Sequence, residues 1–307
     1  MSWLDELVRE TVPGVGPGPV RQVRSRQATS APIYEVEADL ADGGLVRLLL
    51  KDLSRAALIA PARGVRPHFL HDPAREIGVY RDVLPLAPPG PPICVAAVDD
   101  AEHRWLLLEH VPGRELYEYR DLEPWGKAAG WFANLHTALA GSAESLAEAV
   151  PLLRHSERFV TRWLHRALSH VGERRLRPVV AVFPAVLDRL LALPRTVVHG
   201  EAYASNVLVD GDRVCAVDWE TAAIGPGLVD LAALTAGSGW TDVQRLALCE
   251  AYRGGPVDQE FLADLDACRL QLALQWLGWA QGWRPPDEHA QDWLGEALAL
   301  ADRLSGG

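Results

Sequence analysis

Three residues have types and spacing that could do chemistry: Asn206 and Asp218, whose oxygens could hold a hard cation, and the acid Glu201, five residues before Asn206. Glu201 and Asn206 lie in Val197-Val198-His199-Gly200-Glu201-Ala202-Tyr203-Ala204-Ser205-Asn206-Val207-Leu208-Val209, and Asp218 opens Asp218-Trp219-Glu220. Between them Asp210-Gly211-Asp212 reads as a turn, and Arg213 to Val217 returns as a strand. With Gly211-Asp212 as a two-residue hairpin loop, Asn206 lies opposite Val217 and beside Asp218. An amide oxygen and a carboxylate then converge on one point. Such a pair suits Mg2+, which takes few protein ligands and completes its shell with phosphate oxygens and water. A register change of one residue would part them.

The elements that must position these residues divide the chain in two. Ser2 and Asp5 read as a capping box opening a short helix through Val8, and Val12 to Pro19 is a loop of prolines and glycines. Ile33 to Ala38 and Leu45 to Leu50 alternate like half-buried strands around the turn Asp42-Gly43-Gly44, and the second ends in Lys51. Asp72 is an N-cap and Pro73 a first helical residue, after which Glu76, Tyr80 and Val83 share a face. Ile93 to Val98 and Trp105 to Leu108 are two further strands. Beyond Pro112-Gly113 the pattern turns helical, at Trp125 to Leu139, Phe159 to Leu168, Ala185 to Leu193, Val243 to Tyr252 and Phe261 to Trp283. Only Val197 to Val217 interrupts it with strand. The expected fold class is therefore α+β, with a small antiparallel sheet and one helix over residues 1–109 and a larger, mainly helical part over residues 110–307.

His199-Gly200-Glu201, Asn206 and Asp218-Trp219-Glu220 resemble the signature of the aminoglycoside phosphotransferase and choline kinase family. Ile224-Gly225-Pro226-Gly227-Leu228-Val229-Asp230-Leu231-Ala232 resembles the segment that comes after that signature in the family. The step of five from acid to amide is also that of the protein-kinase catalytic loop. The resemblance implies a bilobal protein-kinase-like fold, with ATP and Mg2+ in the cleft between lobes. At matching positions it implies that Lys51 contacts the α- and β-phosphates and that Glu76 holds Lys51. Glu109 to Val111 would offer backbone groups to adenine, Asn206 and Asp218 would bind the metal, and Glu201 would orient or deprotonate the substrate hydroxyl. Phosphoryl transfer asks for positioning and charge neutralisation of this kind. Taken singly, Lys51 is an ordinary strand-end lysine and Glu76 a solvated helix residue; their order with the rest gives them weight. His199 and Asp230 read as hydrogen-bonding anchors of the loop, and Glu220 as either support for the metal pair or a surface acid. Trp276, Trp279 and Trp283 have helical spacing and form core or a pocket wall.

Two features depart from the family. Glu201 stands where the family has Asp, which lengthens the side chain by one methylene. The stretch Arg26 to Tyr34, expected to cover the phosphates, has no glycine, and Pro32 has no amide to donate.

Composition narrows the partners. The chain has 307 residues, 49% of them hydrophobic, enough for a large core. A net charge of -11 disfavours nucleic acid. Four scattered cysteines form no zinc or disulfide framework. Neither a signal peptide nor a membrane span is expected, so the cytoplasm is the default compartment. The leading expectation is an ATP-dependent phosphotransferase acting on a hydroxyl of a small molecule that is aminoglycoside-like, an amino alcohol or a sugar. The alternative is a nucleotide-binding pseudokinase. A protein kinase is disfavoured by the lack of Asp-Phe-Gly and Ala-Pro-Glu elements. Asp258, Glu260, Asp264 and Asp266 would either attract a cationic substrate or form a solvated helix face.

Overall fold

The structure is a computed structural model that describes residues 2–25, 31–54, 67–100, 102–237, 240–279 and 290–306. Residues 26–30, most of the stretch expected to cover phosphates, and Trp283 lie outside the described residues.

The chain opens with helix α1 (Trp3–Thr11), where the expected capping box is formed: the Ser2 hydroxyl accepts from the Asp5 amide and the Asp5 carboxylate accepts from the Ser2 amide. Five strands come next: β1 (Arg21–Arg24), β2 (Ile33–Asp39), β3 (Leu45–Asp52), β4 (Cys94–Asp99) and β5 (Arg104–Glu109). They form an antiparallel sheet in the order β1-β2-β3-β5-β4. Strand β1 escaped the sequence reading because it is an exposed edge, with no apolar alternation to betray it.

Alternation along β3 decides where Lys51 points. Leu48 and Leu50 join Val36, Ala38 and Leu107 in a small core beneath α1. Lys51 faces the other way, as a pleated strand requires, and pairs across the sheet with Leu106. Leu106 and Leu108 belong to the large core together with Ile77, Tyr80 and Val83. Those three come from helix α2 (Pro73–Gly78) and from the wide π-type turn Val79–Val83 that continues it. Asp72 caps α2 by accepting from the Ala74 amide, and Pro73 occupies its first turn. The wide turn precedes Pro85, which has no N–H to keep the helix going.

After β5 come a short strand β6 (Arg114–Glu115), helices α3 (Leu122–Leu139) and α4 (Ala143–Ala149), strand β7 (Leu153–Arg154), and helices α5 (Glu157–Val171) and α6 (Glu173–Ala192). Helix α6 is far longer than the expected Ala185 to Leu193, although Pro178 and Pro184 lie inside it. Leu176, Val179, Phe183, Val186 and Leu190 recur every three or four residues and are all buried, and that apolar stripe outweighs the two missing amide donors. Strands β8 (Arg195–Val198), β9 (Val207–Asp210), β10 (Arg213–Ala216) and β11 (Ala223–Pro226) carry the central loops. Helices α7 (Leu228–Leu234), α8 (Asp242–Arg253), α9 (Gln259–Gly278) and α10 (Trp293–Ser305) complete the chain. No helix among the described residues is long and apolar enough to cross a membrane. All four cysteines are free, three of them buried.

Candidate active site

The hairpin that positions the central residues has the register expected from the sequence. Asp210 pairs with Arg213 and Val207 with Ala216, leaving Gly211-Asp212 as the two-residue loop. One step further out, the Val217 N–H donates to the Asn206 carbonyl at 2.9 Å, so Asn206 lies opposite Val217 and Asp218 is the next residue. The Asn206 amide nitrogen donates to the Glu201 carbonyl at 2.9 Å, which joins the two ends of the loop and leaves the side-chain oxygen of Asn206 as its acceptor end.

The loop is pinned from beneath by Asp230 at the start of α7. One Asp230 oxygen accepts from the His199 backbone N–H at 2.7 Å and the other from the Gly200 N–H at 2.8 Å. His136 Nε2 reaches the same carboxylate at 2.9 Å and Tyr252 Oη lies 2.8 Å from His136 Nδ1. These partners assign the imidazole as the Nε2–H tautomer, accepting from the tyrosine. Burial alone would push Asp230 up, but His136 and the His199 N–H outweigh it and hold this fully buried carboxyl below its ordinary value. The His199 ring donates from Nε2 to the Val217 carbonyl at 2.9 Å and accepts the Glu201 N–H at Nδ1, 3.3 Å away. Burial lowers its pKa, so it is a neutral brace between the two halves of the site. Trp219 lies against it, 4.5 Å between ring centroids. Both anchoring roles agree with the sequence reading.

Three chain segments meet at Lys51. Its Nζ lies 2.8 Å from Glu76 on α2 and 2.6 Å from Asp218 Oδ1. The Lys51 side chain is 8% exposed and that of Glu76 1%, against 27% for Asp218, so the cluster opens to solvent on the Asp218 side. Burial by itself pushes Lys51 down; Asp218, Glu76 and Glu220 more than reverse that and keep it protonated. Burial pushes Glu76 up, and the neighbouring acids add to this against the pull of Lys51.

Glu220 is the residue that sequence reasoning left undecided. Carboxylate oxygens of Glu76, Asp218 and Glu220 all lie within 4.8 Å of one another. Three carboxylates around one ammonium leave an excess of negative charge, which a divalent cation would neutralise. The donors are all oxygen, and Asn206, whose backbone pairs with Val217 just before Asp218, would add an amide oxygen, a set that fits Mg2+.

Asp218 also has the only non-glycine positive φ among the described residues, +65°. Left-handed backbone at a partly exposed carboxylate that meets Lys51 is the kind of local cost that persists where the side chain must be aimed.

Glu109 ends β5, and its backbone N–H donates to the Ile93 carbonyl at 2.9 Å. Its carboxylate is taken by Arg213, with contacts of 2.6 and 2.8 Å, and Arg213 holds its pKa below the ordinary glutamate value. The same guanidinium donates to the Gly90 and Pro91 carbonyls, so one arginine from β10 ties the connection after β5 to the proline-rich loop before β4. Val111 is buried, and its backbone N–H makes no hydrogen bond among the described residues.

The sequence reading missed Arg213 and also Arg75, which stands beside Glu76 and donates to three carbonyls. Neither belongs to a motif, and an isolated arginine carries no sign of which distant carbonyls it will reach. Trp276 stacks on Trp293 at 5.0 Å and lies edge-on to Tyr203 at 5.4 Å, while Trp279 stacks on Trp163 at 6.0 Å. Of the acids on and before α9, Asp258 caps the helix, Asp264 pairs with Arg189, and Asp266 pairs with Arg269 and Arg303.

With this geometry in place, comparison with known proteins defines the class. The model of the phosphotransferase enzyme family matches residues 47–270, and the chain belongs to that family. No curated protein sequence matches it. Among solved structures, it is similar to a choline/ethanolamine kinase family protein from Mesorhizobium loti, with TM-score 0.59 and 18% identity over 98% of this chain and 91% of that one. A macrolide 2'-phosphotransferase from Brachybacterium faecium gives TM-score 0.58 and 19% identity over 98% of each chain. The GDP complex of aminoglycoside 2'-phosphotransferase-IIIa gives TM-score 0.62 and 14% identity over 98% of this chain and 97% of that one. The fold is thus the bilobal, protein-kinase-like α+β fold expected from the sequence.

Proposed function

We propose that this protein transfers the γ-phosphate of ATP, with Mg2+, to a hydroxyl of a small molecule. The observation that carries the reading is the shared contact of Lys51 with Glu76 and Asp218, residues brought together from separate elements around an opening lined by carboxylates. Lys51 would neutralise the α- and β-phosphates and Glu76 would hold it there. Asn206 and Asp218, with Glu220 close by, would hold the metal that bridges the phosphates. Backbone groups of Glu109 and Val111 would meet the adenine edge. Glu201 would take up or orient the hydroxyl proton, from a loop whose backbone is fixed by His199, Asn206 and Asp230.

In this reading residues 1–109 cover the nucleotide, and residues 110–307 carry the catalytic loop and the metal site. Related folds were solved with GDP and kanamycin and with ADP and spectinomycin, which supports a nucleotide donor and a small polyhydroxylated or amino acceptor. Free thiols suit a reducing compartment such as the cytoplasm. The test is calorimetric titration with ATP, with and without Mg2+, and then an acceptor panel of aminoglycosides, amino alcohols and sugars. Binding that depends on Mg2+ and turnover on one acceptor class are expected. Absence of binding at millimolar ATP would refute the reading.

A further inference from the structure

Arg75 is 3% exposed, an unusual place for a guanidinium. Its Nη1 donates to the Leu70 carbonyl at 2.8 Å and to the Glu220 carbonyl at 2.7 Å, and its Nε donates to the Pro151 carbonyl at 2.8 Å. Leu70 lies just before α2, Pro151 lies between α4 and β7, and Glu220 is two residues beyond Asp218. One planar fork thereby spans the sheet-bearing part, the helical part and the acidic loop. Burying a cation is costly unless its donors are met, so these three carbonyls are held where the guanidinium needs them. Close packing adds a second point of attachment three residues on. A Cβ placed on Gly78 would come within 2.8 Å of Val150 Cγ1, so the helix backbone lies directly against the residue before Pro151.

We propose that Arg75 is a positioning residue that sets the spacing between Glu76 and Asp218, the two carboxylates that share Lys51. It acts on Glu76 through the helix that both occupy, and on the Asp218-Trp219-Glu220 loop through the Glu220 carbonyl. Helix α2 is thereby tied to the helical lobe through Pro151 and Glu220, while Ile77, Tyr80 and Val83 also pack against Leu106 and Leu108 of the sheet. The inference rests on the reading of the site as a nucleotide and metal site, and extends it to a residue outside the family signature.

The test compares wild type with Arg75→Met and Arg75→Lys. Lysine keeps the charge but lacks a planar fork that can span three carbonyls, so it does not rescue. Both variants are expected to lower kcat by about a hundredfold and to weaken Mg2+ dependence about tenfold, while acceptor KM stays within about twofold because Arg75 is buried and offers an acceptor no exposed surface. A loss confined to thermal stability, or full rescue by lysine, would overturn the proposal. Native-state hydrogen exchange on wild type supplies an independent readout. Amides of residues 75–83 are expected to open together with those of residues 218–222, and opening in step with β3 instead would overturn it, even if both variants fail to fold. If wild type binds no Mg2+-ATP, the proposed function fails, and the exchange pattern still decides the tether.

Discussion

Lys51 Nζ and Asp218 Oδ1 lie 2.6 Å apart although 167 residues separate them in the chain. The contact joins the central strand β3 of the sheet to the acidic loop of the helical lobe, and Glu76 shares the same ammonium. The ammonium is thus the charge that makes three neighbouring carboxylates tolerable. Lys51→Met should leave Glu76, Asp218 and Glu220 to repel one another. Breaking a buried pair in this way costs about 3–5 kcal/mol. The stripped cluster should then draw a cation more strongly, so Mg2+ should raise the thermal midpoint of the variant more than that of wild type. Calorimetric melts with and without Mg2+ check this. A variant that melts like wild type and ignores Mg2+ would show that the carboxylates do not act as one cluster.

Asp218 combines the carboxylate proposed to bind Mg2+ with a backbone φ of +65°, and two substitutions separate those properties. Asparagine tolerates left-handed backbone but lacks the charge. Alanine lacks both. Asp218→Asn should fold with near wild-type stability and lose Mg2+-dependent ATP affinity by about tenfold or more, on the order of 1.4 kcal/mol. Asp218→Ala should lose the same affinity and a further ~1–2 kcal/mol of stability, because it must hold a left-handed conformation without a side-chain hydrogen bond. Urea midpoints and titration calorimetry on the two variants distinguish the effects. Equal stability of the two would mean that the local backbone relaxes.

Much of this site is legible in the sequence because its parts are local. The Asn206–Val217 opposition is dictated by the length of a two-residue hairpin loop, and Lys51 lies on the inner face because strand alternation allows only two choices. Asp230 is likewise legible through its motif. The residues that escape are long-range or unpatterned. Glu220 shows its place among the carboxylates only once α2 is docked, and Arg75 and Arg213 act on backbone carbonyls that no side-chain pattern encodes. The length of α6 escapes for another reason: propensity at Pro178 and Pro184 argues against a helix that burial of its apolar stripe sustains. From sequence the acids on and before α9 read either as a substrate attractor or as a solvated helix face; Asp258 caps the helix, and Asp264 and Asp266 meet arginines.

Acid stability should depend on His155, which is 5% exposed and stacked on Phe159 at 4.6 Å. Burial, only partly opposed by Asp230, lowers its pKa to about 4 from an ordinary 6.5. Above pH 6.5 the imidazole is neutral whether the chain is folded or not, and contributes no pH dependence. Below it the unfolded chain takes up a proton that the folded chain refuses, so stability falls as pH falls from about 6.5 to about 4. The slope is about 1.4 kcal/mol per pH unit, or about 3 kcal/mol over the whole window. His199, also lowered by burial, acts in the same direction. Urea unfolding of His155→Gln should therefore show a shallower loss between pH 6.5 and pH 4 than wild type. Parallel curves would mean that the buried imidazole takes up its proton in the folded state as easily as in the unfolded one.

Glu201 is the residue whose length departs from its family, and its backbone has little room to compensate. Its N–H is held by His199 Nδ1 at 3.3 Å, and its carbonyl accepts from the Asn206 amide at 2.9 Å and the Tyr203 N–H at 2.7 Å. With the main chain fixed, one methylene more or less moves the carboxylate by roughly an ångström, and displacement on that scale can cost about a hundredfold in rate. If the acceptor pocket is shaped around glutamate, Glu201→Asp should lower kcat by about tenfold to a hundredfold. Glu201→Gln should lower it at least as far, and neither should change Mg2+-ATP affinity, since the proposed nucleotide contacts lie with Lys51 and Asp218. Single-turnover transfer to whichever acceptor the panel identifies, measured beside nucleotide titration, separates binding from chemistry. A gain in rate for Glu201→Asp would reverse the conclusion: the natural chain would then bind nucleotide in an intact site and be slow at the one step that glutamate misplaces.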